Sequence, residues 1–273
     1  MSTYIEELKE VYSQKKLIPF IGSGFSKPLD LPDWGGLVGG IAEKVGYEPS
    51  LFTLHGNYQQ LLEYVKEFHP SVWQDFIYKM TISFGSNEIV EKRKASQTHQ
   101  ILSALEFKTI YTTNYDTHIE DALIDAGKKV KELSSLETFL SSDSADVDCE
   151  VIKFHGTLKD EQTMVLTESE YFKRMALDEP VDVRLRTDLL SNSFIFIGYS
   201  FNDPNIRYIW YKIYDLKNRQ KRGEKLELPP SYFVTFGHSP IQNSLLNKWR
   251  IYTINLDPSN KNNDLYKLLS SLS

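Results

Sequence analysis

A short apolar run that stops at a pair of glycines constrains the fold of this chain more than any other stretch. Residues 17–21 read LIPFI, and Gly22-Ser23-Gly24-Phe25-Ser26 follows directly. This pattern predicts a buried strand that enters a tight turn and then a helix, as at the start of a nucleotide-binding βα unit. Glycine lets the backbone approach a pyrophosphate with no Cβ in the way, and a following helix N-terminus attracts phosphates. Any strand-to-helix turn can use glycine, so the pair alone does not identify a ligand.

Two features separate this turn from the G-x-G-x-x-G fingerprint of dehydrogenases. Lys27 occupies the position of the third glycine. No predicted strand ends in an acidic residue about 20 residues further on, where such enzymes hold the ribose. The stretch therefore predicts a nucleotide-cradling turn of another type. The Ser26 hydroxyl can donate to a phosphate or ribose oxygen, while Asp33 and Trp34 add an acceptor and an aromatic wall.

Strand-like and helix-like stretches alternate along the rest of the chain. After the first strand, further strands are expected at residues 107–112, 130–133, 150–154, 193–197, 232–236 and 251–254. Most of the stretches between them carry apolar residues at helical spacing, and those between 58 and about 105 are also rich in aromatics. This order predicts an α/β fold with a doubly wound parallel, Rossmann-like sheet. We expect a single domain over residues 1–273, with a helical insertion at about residues 50–105.

Composition narrows the choice of ligand and compartment. A net charge of −6 and a pI near 5.6 argue against nucleic acid as the main ligand. Cys149 is the only cysteine, which excludes a disulfide framework and a cysteine zinc cluster within one chain. No apolar run approaches the length of a membrane span, and the N-terminal residues predict an amphipathic helix instead of a signal peptide. We therefore expect a cytoplasmic protein without membrane contact.

Two other polar features have ordinary explanations. His55, His69 and His99 are scattered through the helical insertion, which favours surface or half-buried positions over a ligand set. The basic residues within 217–225 predict an exposed loop, and contact with a partner or a polyanion is the alternative.

Polar or glycine-rich residues follow three more of the predicted strands. Asn114-Tyr115-Asp116 follows the second strand, His155-Gly156 follows the strand at 150–154, and Gly198-Tyr199-Ser200 follows the strand at 193–197. In a doubly wound sheet these strand ends open onto the same edge as the glycine turn. Taken alone, Asn114 and Asp116 could simply turn the chain and cap a helix. His155 is a candidate general base.

Together these four stretches resemble the sirtuin-like family. The glycine turn with LPDW at 31–34 is similar to its first NAD-binding motif, and residues 112–116 are similar to its Thr-Gln-Asn-Ile-Asp motif. Residues 154–156 match the catalytic His-Gly, and residues 198–200 resemble the Gly-Thr-Ser loop. The resemblance spans nearly the whole chain and implies NAD as the substrate.

The departures from the family pattern point to one of its branches. Sirtuin deacylases carry a four-cysteine zinc module after the His-Gly, whereas residues 157–172 contain no cysteine. Thr113 replaces the usual Gln, and Gly35 stands where the deacylases carry an Arg. LPDW and the run GYSFNDPN at 198–205 look like the zinc-free sirtuin-like domains of bacterial anti-phage defence. Membership of that group implies metal-free NAD+ hydrolysis that starves an infected cell.

The resemblance also implies a role for each motif residue. Asn114 would hold a ribose hydroxyl or the attacking water, His155 would accept a proton, and Asp116 would orient the loop or stabilise the cationic transition state. Asp33 would bind the nicotinamide amide, beside Trp34. The phosphates and the adenosine side would lie against the remaining motif residues, which are Gly22, Ser23, Gly24, Ser26, Thr113, Gly198 and Ser200.

The function expected from these residues is an NAD+ glycohydrolase that yields nicotinamide and ADP-ribose. One alternative is an NAD-dependent protein deacylase or ADP-ribosyltransferase. A second alternative is a regulatory subunit that senses NAD or ADP-ribose without turnover. Because an NAD-depleting enzyme has to be silent until needed, we expect a homo-oligomer or a regulatory partner protein encoded nearby.

Overall fold

The computed structural model describes residues 2–31, 34–47, 58–141, 146–199, 204–219, 228–237 and 239–273. Its strands are β1 (Leu17–Ile21), β2 (Thr109–Thr112), β3 (Val130–Leu133), β4 (Cys149–Lys153), β5 (Ser193–Ile197), β6 (Ser231–Thr235) and β7 (Ile251–Asn255). The α-helices are α1 (Ser2–Ser13), α2 (Trp34–Lys44), α3 (Tyr58–Phe68), α4 (Pro70–Phe84), α5 (Asn87–Ala95), α6 (Gln97–Ala104), α7 (His118–Asp125), α8 (Leu136–Leu140), α9 (Glu168–Arg174), α10 (Pro180–Ser191), α11 (Pro204–Arg219), α12 (Pro240–Lys248) and α13 (Lys261–Ser270). The predicted strands therefore lie within two residues of their observed bounds.

All seven strands form one parallel sheet in the order β3-β4-β2-β1-β5-β6-β7. Strand β1 lies at the centre because the chain winds outward from it on both sides, first to β2 and later to β5. Strands β1 and β5 are buried along their whole length, as their continuous apolar runs predict. The doubly wound Rossmann-like fold is thus confirmed, and ligands in such sheets bind beyond the carboxyl ends of the strands where the winding direction changes.

Helices cover both faces of the sheet. One face packs against apolar residues of α1, α6, α7 and α13, and the other packs against α10, α11 and α12. A third apolar cluster lies in the helical segment between β1 and β2, where α2, α3 and α4 pack together with Tyr115, Met164 and Leu166. This helical segment therefore rests on the loops that follow β2 and β4. Among the described residues, no helix is both long and apolar enough to cross a lipid bilayer.

The structure differs from the sequence expectations at four places. Apolar residues at helical spacing predict buried positions for Ile124 and Phe68, but Ile124 is 55% exposed and Phe68 is 67% exposed. Ile124 directly follows the buried Leu123 and lies about 100° from it around the helix axis, and Phe68 is the last residue of α3. His99 is buried rather than half-exposed, and His55 lies outside the described residues. Residues 134–148 are rich in Ser and Asp, which predicts a loop, but they contain α8, where the Ser135 side chain accepts a hydrogen bond from the Thr138 amide.

Candidate active site

Four strands end in one register row, which brings the predicted site loops to one edge of the sheet. Lys153 pairs with Thr112, Thr112 pairs with Ile21, and Ile21 pairs with Ile197 across β4, β2, β1 and β5. Two residues beyond this row stand His155, Asn114, Ser23 and Tyr199, in the same order. Neighbouring strands lie about 4.8 Å apart. Asn114 and His155 therefore follow adjacent strands at matching positions.

The glycine turn packs directly against the loop after β5. The amide of Gly22 donates to the carbonyl of Ile197 (2.9 Å), and the amide of Gly24 donates to the carbonyl of Gly198 (2.8 Å). A Cβ on Gly22 would lie 2.7 Å from the Gly198 oxygen, and a Cβ on Gly24 would lie 2.8 Å from it. These glycines are required because two backbones touch, a reason that sequence analysis did not foresee. Contact of this turn with a pyrophosphate stays a prediction.

The segment after the glycine turn also differs from a standard βα unit. Residues Ser23–Leu29 form a 3-10 helix, and the α-helix α2 begins only at Trp34. The expected α-helix N-terminus therefore does not directly follow the turn. Asp33 and Ser200 lie outside the described residues, as does the side chain of Trp34.

The side-chain amide of Asn114 has a hydrogen-bond partner at its nitrogen but none at its oxygen among the described residues. Its backbone amide donates to the Thr112 hydroxyl (3.0 Å), and its Nδ2 donates to the Ser26 hydroxyl (3.1 Å). The side chain is 6% exposed, and its Oδ1 accepts no hydrogen bond from the described part of the chain. A buried amide oxygen in this state is an acceptor for a ligand hydroxyl or water. Half-buried Thr113 joins the same loop to β1 by donating its amide to the Ile21 carbonyl (3.1 Å).

Asp116 is buried and serves the main chain of its own loop. Its Oδ1 accepts a hydrogen bond from the amide of His118 (3.0 Å) at the beginning of α7. A carboxylate at this position accepts a hydrogen bond from an amide in the first turn of the helix, and the positive end of the helix dipole stabilises its negative charge. Of the two roles considered for Asp116, this contact favours orienting the loop.

His155 is fixed by aromatic packing and by its backbone. Its ring meets Tyr171 edge-on at 5.4 Å, and its carbonyl accepts a hydrogen bond from the amide of Val165 (3.0 Å). The next residue, Gly156, has a φ of +82°, and a Cβ there would lie 2.1 Å from the carbonyl oxygen of Thr163. The glycine of the His-Gly pair is therefore needed for the turn that sends the chain back across His155.

Tyr115 connects the loop that carries Asn114 to the loop that follows His155. Its hydroxyl donates to the Val165 carbonyl (2.9 Å), and its own carbonyl accepts a hydrogen bond from the Leu158 amide (3.0 Å). Since Val165 also bonds to His155, the two predicted catalytic loops form one hydrogen-bonded unit.

A buried ion pair, which the sequence alone did not predict, lies at the base of this unit. Lys153, the last residue of β4, places its Nζ 3.1 Å from Oε1 of Glu120 on α7. The Lys153 ammonium also donates to the main-chain carbonyl of Asp116. Lysine is rarely buried, so a lysine at the carboxyl end of a predicted strand, two residues before His155, is the signal that could have identified it.

A buried histidine lies behind the glycine turn. His99 on α6 packs its ring against Phe25 at 4.6 Å and hydrogen-bonds to the Ser96 hydroxyl at 2.8 Å. Burial lowers the pKa of His99 to about 4, so the ring is neutral at physiological pH.

Within the described ranges, no three His, Cys, Asp or Glu side chains are placed to hold a metal ion.

The chain is similar in sequence to a known domain family and to proteins of known activity. A family model for the SIR2-like domain matches residues 108–254, which is more than half of the chain. The NAD(+) hydrolase ThsA of Bacillus cereus is 28% identical over 214 residues, covering 78% of this chain and 43% of that protein. Defense-associated sirtuin 2 of Bacillus subtilis is 25% identical over 246 residues, covering 89% of this chain and 23% of that protein. The chain thus spans less than half the length of these relatives.

A solved structure described as a Sir2 homolog-NAD complex has the same fold. It superposes with a TM-score of 0.53 at 16% sequence identity, and the match covers 98% of this chain and 95% of that one. The matched length includes the helical segment as well as the sheet.

Proposed function

Since this chain belongs to the SIR2-like domain family, we propose that it is an NAD+ glycohydrolase. The reaction converts NAD+ and water to nicotinamide, ADP-ribose and a proton. Cleavage of the bond between the ribose and the pyridinium nitrogen expels neutral nicotinamide, so the leaving group needs no general acid. The protein has to stabilise an oxocarbenium-like transition state and direct a water molecule to the anomeric carbon.

The alignment of Asn114 and His155 beyond neighbouring strands is the observation that carries this proposal. The buried Oδ1 of Asn114 can accept a hydrogen bond from a ribose hydroxyl or from the attacking water. His155 can take a proton from the same water or hydroxyl. Asp116 would orient the loop through its cap on α7. Asp33 and Trp34 would contact the nicotinamide.

The opposite end of the dinucleotide would lie along the loops after β1 and β5. We assign the phosphates and the adenosine side to Gly22, Ser23, Gly24, Ser26, Thr113, Gly198 and Ser200. In this arrangement the hydroxyl of Ser26 both orients the Asn114 amide and faces the ligand.

We also propose a setting for this activity. Two of the chain's relatives, an NAD(+) hydrolase and a defense-associated sirtuin, support NAD+ depletion in bacterial anti-phage defence. The chain would act as one domain in the cytoplasm, as a homo-oligomer or under a regulatory partner protein encoded nearby. The helical segment at about 50–105 and the basic stretch at 217–225 are candidate contact surfaces.

Mass spectrometry of NAD+ incubated with the purified chain, alone and with the proteins of its genomic neighbours, tests this function. We expect nicotinamide and ADP-ribose in equal amounts. Asn114→Ala and His155→Ala should each reduce the rate by about a hundredfold or more. Asn247→Ala on α12 and His69→Ala remove the same residue types away from the site, so both variants should keep the wild-type rate.

Three results would refute this assignment. If both active-site variants consume NAD+ at the wild-type rate, the roles given to Asn114 and His155 are wrong. If NAD+ loss requires an acylated peptide or an acceptor protein, the chain is a deacylase or a transferase. If calorimetry detects binding of NAD+ or ADP-ribose while no condition yields turnover, the chain is a sensor.

A further inference from the structure

An oppositely charged pair lies inside the protein, directly beneath the candidate active site. Lys153 is 1% exposed and Glu120 is 2% exposed, although both residue types are normally found at the surface. Their charged groups are 3.1 Å apart. The pair belongs to none of the motifs to which a catalytic or binding role was assigned.

The position of this pair links the two predicted catalytic residues. Lys153 precedes His155 by two residues at the end of β4, and its Nζ donates to the carbonyl of Asp116. Asp116 follows Asn114 by two residues in the loop after β2. Glu120, in the first turn of α7, pairs with the same ammonium. One side chain of the histidine strand therefore anchors the backbone of the asparagine loop.

Stability alone is a weak reason for such a pair. Two buried charges lose their hydration, and well-packed apolar residues of similar volume are often at least as stabilising. Burial raises the pKa of Glu120, while the nearby Lys153 ammonium favours its charged form. A methionine in place of Lys153 would fill the same space but could donate nothing to the Asp116 carbonyl.

We propose that Lys153 and Glu120 are positioning residues that hold the Asn114 loop in register with His155 for catalysis. This inference rests on the proposed NAD+ hydrolysis for its kinetic consequence. Its structural consequence, an ordered loop at residues 113–117, does not depend on any activity. The two consequences can therefore be measured separately.

The test replaces the pair by apolar residues of similar size. The double variant, Lys153→Met with Glu120→Leu, removes both charges together, so neither is left buried alone. The matched control is Arg184→Met with Glu150→Leu, which removes an ion pair of 2.9 Å near the amino end of the same strand together with the second ion pair of Arg184, to Asp188 at 3.0 Å. Circular dichroism melting reports the stability of each double variant, and hydrogen exchange reports the mobility of residues 113–121.

We expect the Lys153/Glu120 double variant to melt close to the wild type yet to exchange the 113–121 amides at least about tenfold faster. Its kcat for NAD+ hydrolysis should fall by about a hundredfold with little change in KM, since a small misplacement of reacting groups has effects of that size. The control should keep the wild-type exchange in this segment and the wild-type kcat. A conservative variant, Glu120→Gln, leaves the bond from Lys153 to Asp116 possible and should retain more activity than the double variant.

Wild-type exchange at 113–121 in the Lys153/Glu120 double variant would overturn the positioning role, whatever the enzyme assay shows. Faster exchange with an unchanged kcat would also overturn it, because the loop would then have lost its order without any consequence for the reaction. Absence of turnover in the wild-type protein would instead refute the proposed function, and the exchange result would still decide whether the pair orders the loop.

Discussion

Replacement of Gly198 by alanine tests the close contact between the loops after β1 and β5. Gly198 has a φ of +65°, and a Cβ there would lie 2.2 Å from the amide nitrogen of Phe25 and 2.7 Å from the carbonyl carbon of Gly24. Both neighbours are backbone atoms, so no side-chain rotation can relieve the clash. The alanine methyl group therefore forces the two loops apart or changes the local φ.

The expected loss of stability has two parts. A non-glycine residue in the left-handed region costs about 1–2 kcal/mol. Insertion of a methyl group into closely packed surroundings costs about 1–3 kcal/mol more. Gly198→Ala should therefore lower the free energy of unfolding by roughly 2–5 kcal/mol.

Two other glycines separate these contributions. Gly127, just beyond α7, has a φ of +83° with no atom within 4 Å of the Cβ position, so Gly127→Ala measures the conformational cost alone. Gly24→Ala places its Cβ 2.8 Å from the Gly198 oxygen without a positive φ, so it measures the contact alone. Urea denaturation of the four proteins, with unfolding free energies compared at constant m-value, gives each term. If Gly198→Ala is no more destabilising than Gly127→Ala, the two loops do not touch as described.

Three further predictions address buried groups. Burial raises the pKa of the Cys149 thiol to about 12, so Ellman's reagent at pH 8 should not react with it until the protein is unfolded. The pKa of His99 is lowered to about 4 and that of an unfolded histidine is about 6.5, so the unfolded chain takes up the proton first as the pH falls. Between about pH 6.5 and pH 4 the free energy of unfolding should therefore decrease by up to about 1.4 kcal/mol per pH unit as the pH falls, and urea melts of His99→Gln should lack that slope. Tyr115→Phe removes the donor to the buried Val165 carbonyl and should lower the unfolding free energy by about 1–3 kcal/mol in the same melts.

The order and type of most elements could be predicted from sequence because their signals are local. The apolar runs of β1 and of residues 194–197 in β5 favour burial on both faces, and a parallel sheet with helices on both sides is the arrangement that provides it. Because the carboxyl ends of parallel strands lie at one edge of a sheet, the residues that follow the strands then had to come together there. The same periodicity misplaced Ile124 because two adjacent apolar residues on a helix cannot both point to the centre of one buried face.

The function of individual site residues depended on information that is not local. The predicted contact of Gly22, Gly24 and Gly198 with the phosphates stays a prediction, but the structure gives a second reason for these glycines, since the backbone of the neighbouring loop occupies the Cβ position of each. A sequence shows that a glycine is present but not which atom approaches it. Only the folded chain identifies that atom.

The sequence by itself thus determined the sheet, its helical layers and the set of loops at the edge of the candidate active site, since hydrophobic periodicity and turn chemistry act over a few residues. The tertiary structure alone decided the strand order, the shared register of Ile21, Thr112, Lys153 and Ile197, and the burial of Lys153 against Glu120. Residues 120 and 153 lie on different elements, and a charged side chain in a sequence carries no sign of the partner that permits its burial. That pairing arises only when the helix and the strand pack together.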